Sequence, residues 1–253
     1  MLSLYLLCIM IKANNKSWEI LFKQMPHPLE VCDFWHTYNL PNITNILYWL
    51  EFFEKTKYLD GSILEFGVGR GRSLISIMSL EYFYRTKKNY RPKKIYAFDS
   101  FQGFPEPSAE DKSKRKPKKG EWSHSPNGTF KYSKANLKKI LRNAGFPKTF
   151  IEEVNIVKGF FSKTTKNTDI KKIAIMHLDG DLYHSVKDPL DNLSNKIIKG
   201  GLVVVDDFIL NKNIVKEDFW PGARKAVEGF MKVNKKFRVK ESISGNPYLT
   251  KFQ

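Results

Sequence analysis

Two hydrophobic rhythms alternate along this chain. Short unbroken apolar runs at 62–66, 94–99, 154–158, 173–178 and 201–205 read as strands buried on both faces. Between them lie stretches at helical spacing: 44–57, with Ile46, Leu47, Leu50 and Phe53 on one side, then 73–85, 133–144, 185–199 and 221–233. Asn42 or Thr44 is placed to cap the first helix, Gly145 to stop the third, and Pro221 to open the last. Two further runs, 237–242 and 248–252, flank a Ser-Gly-Asn-Pro turn and predict a closing hairpin. Repeated strand–helix units ending in a hairpin describe an α/β fold. We expect a doubly wound, mostly parallel sheet with a C-terminal antiparallel hairpin and a helical leader. No internal repeat is visible.

The 253 residues fit one embellished domain better than two. The expected organisation is a helical leader over 1–60, capping the acceptor side, and the main α/β domain over 61–253. Residues 100–130 are rich in Pro, Gly, Ser and Lys and carry no apolar period. Their length argues for a functional lid or a disordered segment, here taken as a mobile basic lid. Six of the eight residues from Lys112 to Lys119 are basic, which would let the loop steer an anionic substrate; a solvated mobile loop is the plainer reading.

Net charge is +17, but the excess is mostly lysine spread from Lys12 to Lys251. Basic and aromatic residues do not interleave as single-strand binders require, so nucleic acid is disfavoured as a partner. Cys8 and Cys32 fit neither a zinc spacing nor a disulfide framework, and a reducing cytoplasm is expected. The apolar start, residues 1–11, is too short to span a bilayer and lacks the marks of a secretory signal.

Three carboxylates stand at strand ends. Asp179 closes the run 173–178, and the pair Asp206 and Asp207 closes 201–205. Parallel strands joined by one crossover helix are often neighbours, with carboxyl ends facing one crevice. Adjacent aspartates after an apolar strand repel each other, so a bound hard cation such as magnesium is the simplest account. Capping of the next turn is the alternative for each, and Asp181 would cap the helix or point at a cofactor. His177 reads as a packed core histidine, Tyr183 as packing, and His184 as a residue near the site.

Glu65-Phe-Gly-Val-Gly-Arg-Gly-Arg-Ser73 follows the first strand and opens a helix. Its G-x-G-x-G spacing allows a tight turn with close backbone approach but differs from the dinucleotide fingerprint. Asp99, ending the second strand, is placed to accept hydrogen bonds from ribose hydroxyls. Together they favour an adenosine-type cofactor; a tight turn with a surface aspartate is the alternative.

These segments, with Ala97-Phe-Asp-Ser-Phe-Gln-Gly-Phe-Pro105, Lys158-Gly-Phe-Phe161, His177-Leu-Asp-Gly-Asp-Leu-Tyr183, Val205-Asp-Asp-Phe208 and Pro221-Gly-Ala-Arg-Lys-Ala226, resemble the macrocin O-methyltransferase family. The resemblance covers roughly Thr44 to the C-terminus. It implies a Rossmann-like class I methyltransferase sheet and a sugar O-methyltransferase using S-adenosylmethionine and magnesium. The metal would fall to Asp179, Asp206 and Asp207, with Asp179 also the general base. Cofactor contacts would fall to Glu65, Gly67, Ser73, Asp99, Ser100, Phe101, Gly103 and Asp179, with Ser133, Gly159 and Phe160 behind them. The expected partner is a sugar-containing small molecule, anionic if the basic loop steers it, and the expected assembly a homo-oligomer, dimer or tetramer. His184 stands where the family pattern has an acid, and the segment before Thr44 matches poorly. Methylation of a catechol or another vicinal diol is the nearest rival, and a nucleic-acid methyltransferase a more distant one.

Overall fold

The computed structural model describes residues 40–124, 130–208 and 219–253. Helix α1 (Leu40–Thr56) precedes β1 (Ser62–Phe66), α2 (Arg72–Tyr84) and β2 (Ile95–Asp99). After a long connection come α3 (Lys134–Asn143), α4 (Lys148–Glu153), β3 (Asn155–Lys158) and the single turn α5 (Phe161–Thr164). Then follow β4 (Ile173–Leu178), α6 (Tyr183–Leu193), β5 (Ile197–Val205), α7 (Pro221–Val233), β6 (Phe237–Glu241) and β7 (Pro247–Lys251).

Seven strands form one sheet in the order β3-β2-β1-β4-β5-β7-β6. The first five in space are parallel, and the β6–β7 hairpin adds antiparallel through β7 on β5. The expected doubly wound sheet with a closing hairpin is what the chain forms. Strand order reverses between β1 and β4, so the ligand crevice belongs outside the carboxyl ends of those two strands.

Alternation along the strands builds two cores. Ile63, Ala97, Ile175, Leu202 and Val204 face α1 and α2, where Trp49, Phe52, Phe53, Leu74 and Ile77 are fully buried. Leu64, Phe66, Phe98, Met176, Leu178, Val203 and Val205 face α6 and α7, meeting Val186, Leu190, Ala223, Val227 and Phe230. Each buried large apolar side chain contributes about 1.5–3 kcal/mol relative to exposure. Helix α1 is thus a layer of the sheet's own core.

Local boundaries differ from expectation in three places. Helix α1 is described from Leu40, so Thr44 lies in its second turn and its hydroxyl donates back to the Leu40 and Pro41 carbonyls instead of capping. The crossover helix runs Tyr183–Leu193, a single 3₁₀ turn follows, and β5 starts at Ile197. Gly200 adopts φ 80° there, and the pairing of β5 with β4 shifts register after Ile197, a bulge that a Gly-Gly sequence disguises as a turn. The third difference lies in residues 100–124. They hold a 3₁₀ turn at Ala109–Asp111 closed by a capping box, with Asp111 fully engaged and only 3% exposed. The apolar stretch 1–11 lies outside the described residues.

Candidate active site

Strand β1 ends in the glycine turn, and β4 ends beside it. Gly67 adopts φ 91°, and a Cβ there would sit 1.7 Å from the Asp179 carbonyl oxygen. The Asp179 amide donates to the Phe66 carbonyl at 2.8 Å, and the Asp206 amide to the Leu178 carbonyl at 3.0 Å. The three strand ends are therefore stitched together by backbone, and only glycine fits at 67.

One carboxylate oxygen each from Asp179, Asp181 and Asp207 lies within 4.8 Å of the others. Oxygens trans across a magnesium ion sit about 4.2 Å apart, so the grouping, bounded at 4.8 Å, is near the spacing of an oxygen-ligated divalent site. Asp206 lies outside this grouping with its side chain exposed, while Asp207 is half-buried. Burial, then the charges of Asp206, Asp181 and Asp207, hold the Asp179 carboxyl well above the usual carboxylate range. Asp181 is pushed up to about 6, by burial first and by Asp206, against a hydrogen bond with Asp207 and the charge of Arg115. Crowded carboxylates of this kind are the donor set that a cation relieves.

Asp181 has φ 59°, a left-handed conformation that a non-glycine residue adopts at a cost. It does not cap α6. That amide, of Tyr183, donates instead to Asp111 Oδ1 at 2.7 Å from seventy-two residues upstream.

The glycine-turn side is differently built. Asp99 accepts from the Phe101 amide at 2.6 Å through Oδ1 and from the Gly69 amide at 2.9 Å through Oδ2. Burial raises its carboxyl from the ordinary range, and these backbone donors oppose that rise. Ser100 Oγ donates to the Gly103 carbonyl at 2.8 Å and accepts from the Gln102 amide at 3.0 Å. Phe101 is buried with φ 51°. Gly103 faces the backbone of residues 120–121, where a Cβ would lie 2.1 Å from the Glu121 carbonyl oxygen. Ser73 stands in the first turn of α2. Ser133 caps α3 by accepting from the Asn136 amide at 3.1 Å, the Gly159 amide donates to the Asp99 carbonyl at 2.9 Å, and Phe160 precedes α5.

Glu65 is 1% exposed and lies opposite His177 on the neighbouring strand, with Oε1 3.6 Å from His177 Nδ1. Trp49 closes the group edge-on to the histidine ring at 4.8 Å, and burial raises the Glu65 carboxyl. Trp49 Nε1, Glu65 Oε2 and His177 Nδ1 are buried without hydrogen-bond partners. His177 is therefore the core histidine the sequence suggested. His184 is exposed, with Nδ1 3.6 Å from Asp188.

The basic connection lies against the acidic side. Phe104 meets the Trp220 ring edge-on at 5.6 Å, and the Arg115 guanidinium lies 5.3 Å from the same ring. Ser113 Oγ donates to the Phe219 carbonyl at 3.0 Å, and Lys225 Nζ to the Glu110 carbonyl at 2.9 Å.

A family model described as macrocin O-methyltransferase (TylF) matches residues 53–236, well over half of the chain. The chain belongs to the macrocin O-methyltransferase family. Among relatives, demethyldecarbamoylnovobiocin O-methyltransferase of Streptomyces niveus is 31% identical over 152 residues, 60% of this chain and 54% of that protein. Mycinamicin III 3''-O-methyltransferase of Micromonospora griseorubida is 26% identical over 157 residues, 60% of this chain and 57% of that protein. The chain thus matches little more than half the length of these relatives. In structure it is similar to the calicheamicin methyltransferase CalS11, at TM-score 0.68 and 22% identity, covering 94% of this chain and 91% of that one. The O-methyltransferase NovP follows at TM-score 0.61 and 24% identity, covering 84% and 80%. These likenesses place a macrocin O-methyltransferase family chain on the methyltransferase fold.

Sequence reasoning missed Asp111 and did not place Asp181 in the cluster. The local signal at Asp111, a capping box with Ser108, reports only its own turn; its contacts with Tyr183 in α6 and Gly222 in α7 come from far along the chain. For Asp181 the signal was present, a second acid in Asp-Gly-Asp, but telling it from a helix cap requires knowing that the Tyr183 amide is bonded from elsewhere.

Proposed function

We propose that the chain is an O-methyltransferase that moves a methyl group from S-adenosylmethionine to a sugar hydroxyl of a small molecule, assisted by magnesium. The observation that carries this reading is the acid grouping Asp179, Asp181 and Asp207 packed against the glycine turn through Gly67, in a chain of this family. Sulfonium methyl transfer is an in-line displacement, so the work left to the protein is alignment and removal of one proton.

The glycine turn and Asp99 fit the adenosyl part of the methyl donor. Asp99 Oδ1 and Oδ2 each keep accepting capacity beyond their backbone bonds and can receive ribose hydroxyls. Asp179, Asp181 and Asp207 would hold magnesium, and Asp206 adds negative charge at the rim. A bound divalent cation acidifies and orients a hydroxyl ligand. Asp179 is the group we assign as general base, since it adjoins the turn on which the methyl donor sits and accepts the proton at a carboxylate oxygen. Asp181 and Asp207 share the cation's charge and fix the direction of the acceptor oxygen.

The acceptor enters, in this reading, between the acid grouping and the Phe104, Arg115 and Trp220 cluster. Trp220 offers an aromatic wall for a pyranose, and Arg115 with its basic neighbours suits an acceptor carrying negative charge. We further propose that residues 100–130 act as a lid, that residues before 61 help cap the acceptor side, and that the protein works in the cytoplasm as a homo-oligomer. Among the described residues no helix is long and apolar enough to cross a membrane.

The test is transfer of labelled methyl from S-adenosylmethionine to a panel of glycosylated acceptors, with magnesium or with EDTA. Labelling that needs the metal is expected; labelling untouched by EDTA would remove magnesium from the scheme. A catechol labelled in place of every sugar would move the acceptor class.

A further inference from the structure

The carboxylate of Asp111 joins three parts of the chain that are remote in sequence. Oδ2 accepts from the Ser108 amide at 2.7 Å and the Ser108 hydroxyl at 2.8 Å, closing the turn of its own loop. Oδ1 accepts from the Tyr183 amide at 2.7 Å, the first helical residue of α6. A Cβ on Gly222, in the first turn of α7, would lie 1.8 Å from that same Oδ1, so the carboxylate is wedged against both helices. The residue before Tyr183 is Leu182, which has no side-chain donor or acceptor for the orphan amides of α6.

A helix start ordinarily takes its acceptor from a serine, threonine, aspartate or asparagine at the N-cap, a place held here by Leu182. Asp181, one residue before Leu182, is the local candidate. With Asp111 bonding the Tyr183 amide, the Asp181 side chain is released to meet Asp179 and Asp207. The left-handed backbone at Asp181, φ 59°, is the conformation that turns it there, and a fixed start to α6 holds it. From this we infer that Asp111 is a positioning residue for the cation site: by capping α6 from a distance it keeps Asp181 in the donor set, and it couples docking of the 104–121 strap to cation affinity. The inference rests on the cation site proposed above and goes beyond it, since Asp111 touches neither cation nor acceptor. The coupling is reciprocal, so a bound cation also holds the strap more firmly.

The experiment is Mn²⁺ binding, with no acceptor present, to the wild type, Asp111→Ala and Lys225→Met, beside thermal unfolding of each. Asp111→Ala removes the oxygen that accepts the Tyr183 amide, which an asparagine would keep. Lys225→Met cuts another strap contact, Lys225 Nζ to the Glu110 carbonyl, and leaves Asp111 in place. Asp111→Ala is expected to weaken Mn²⁺ binding about tenfold or more, the scale for residues that orient metal ligands. Lys225→Met should change it less than about twofold, whatever its melting point. Should Asp111→Ala fail to fold, Ser108→Ala removes one of the hydrogen bonds of Asp111 and should weaken Mn²⁺ in the same direction by a smaller factor. Wild-type affinity in a folded Asp111→Ala or, in its absence, in Ser108→Ala overturns the inference while leaving the cation site standing. Equal weakening in Lys225→Met also overturns it, since any loosened strap would then suffice. A wild type that binds no Mn²⁺ overturns the cation site and this inference together.

Discussion

Asp99 and Asp179 end neighbouring parts of the same sheet and meet opposite conditions. At the end of β2, Asp99 is held by the backbone donors of Gly69 and Phe101. At the end of β4, Asp179 is surrounded by Asp181, Asp206 and Asp207, and its carboxyl is driven upward by burial and like charge. The first carboxylate is completed by the fold itself; the second becomes stable as an anion when positive charge arrives. The contrast separates a carboxylate met by backbone donors from one crowded by other carboxylates.

Substitutions can break that contrast. The largest effect is expected for Asp179→Asn, with methyl transfer falling about 10²–10⁴-fold while calorimetric affinity for S-adenosylhomocysteine stays within a few-fold. Loss of cofactor affinity in place of rate would put Asp179 with Asp99. Gly67→Ala should cost about 4 kcal/mol by denaturant titration, because left-handed strain adds to overpacking against the Asp179 carbonyl. Wild-type stability in the Gly67→Ala variant would mean the two turns are not wedged together. Asp99→Asn places an amide N–H against a backbone donor and should cost about 1–3 kcal/mol of stability, with weaker S-adenosylhomocysteine binding. A sharper comparison sets Asp181→Asn against Asp206→Asn. We expect the first to weaken Mn²⁺ binding about tenfold and the second less than about threefold, since Asp206 lies outside the grouping. The reverse order would restore the adjacent pair Asp206 and Asp207 as joint ligands.

Much of the sheet could be read from residues alone. The bounds of β1 and β4 are evident because each is an apolar run shut between polar or glycine breaks, and α7 begins at its proline. The start of β5 was hidden because Gly200-Gly201 looks like a turn and is a bulge within a strand. The order in residues 104–121 was hidden for another reason. A hydrophobic period reports burial of side chains, whereas this strap is held by a capping box, by Asp111 on the Tyr183 amide and by Ser113 and Lys225 on distant carbonyls. Such bonds leave no rhythm in the chain. The aspartates themselves were legible as chemistry, but local sequence could not say that Asp111 would take the capping duty and Asp181 join the cluster.

The hairpin carries a consequence for how the protein is made. Strand β7 lies between β5 and β6 in the sheet, although it follows both in the chain. The edge of β5, which carries Asp206 and Asp207 at its end, therefore stays unpaired until residues 247–251 leave the ribosome. During synthesis the nascent chain exposes an apolar strand edge beside the acidic turn, a template for wrong pairing. A premature stop before Tyr248 would remove an interior strand, and its product should be found with the chaperones or in the insoluble fraction.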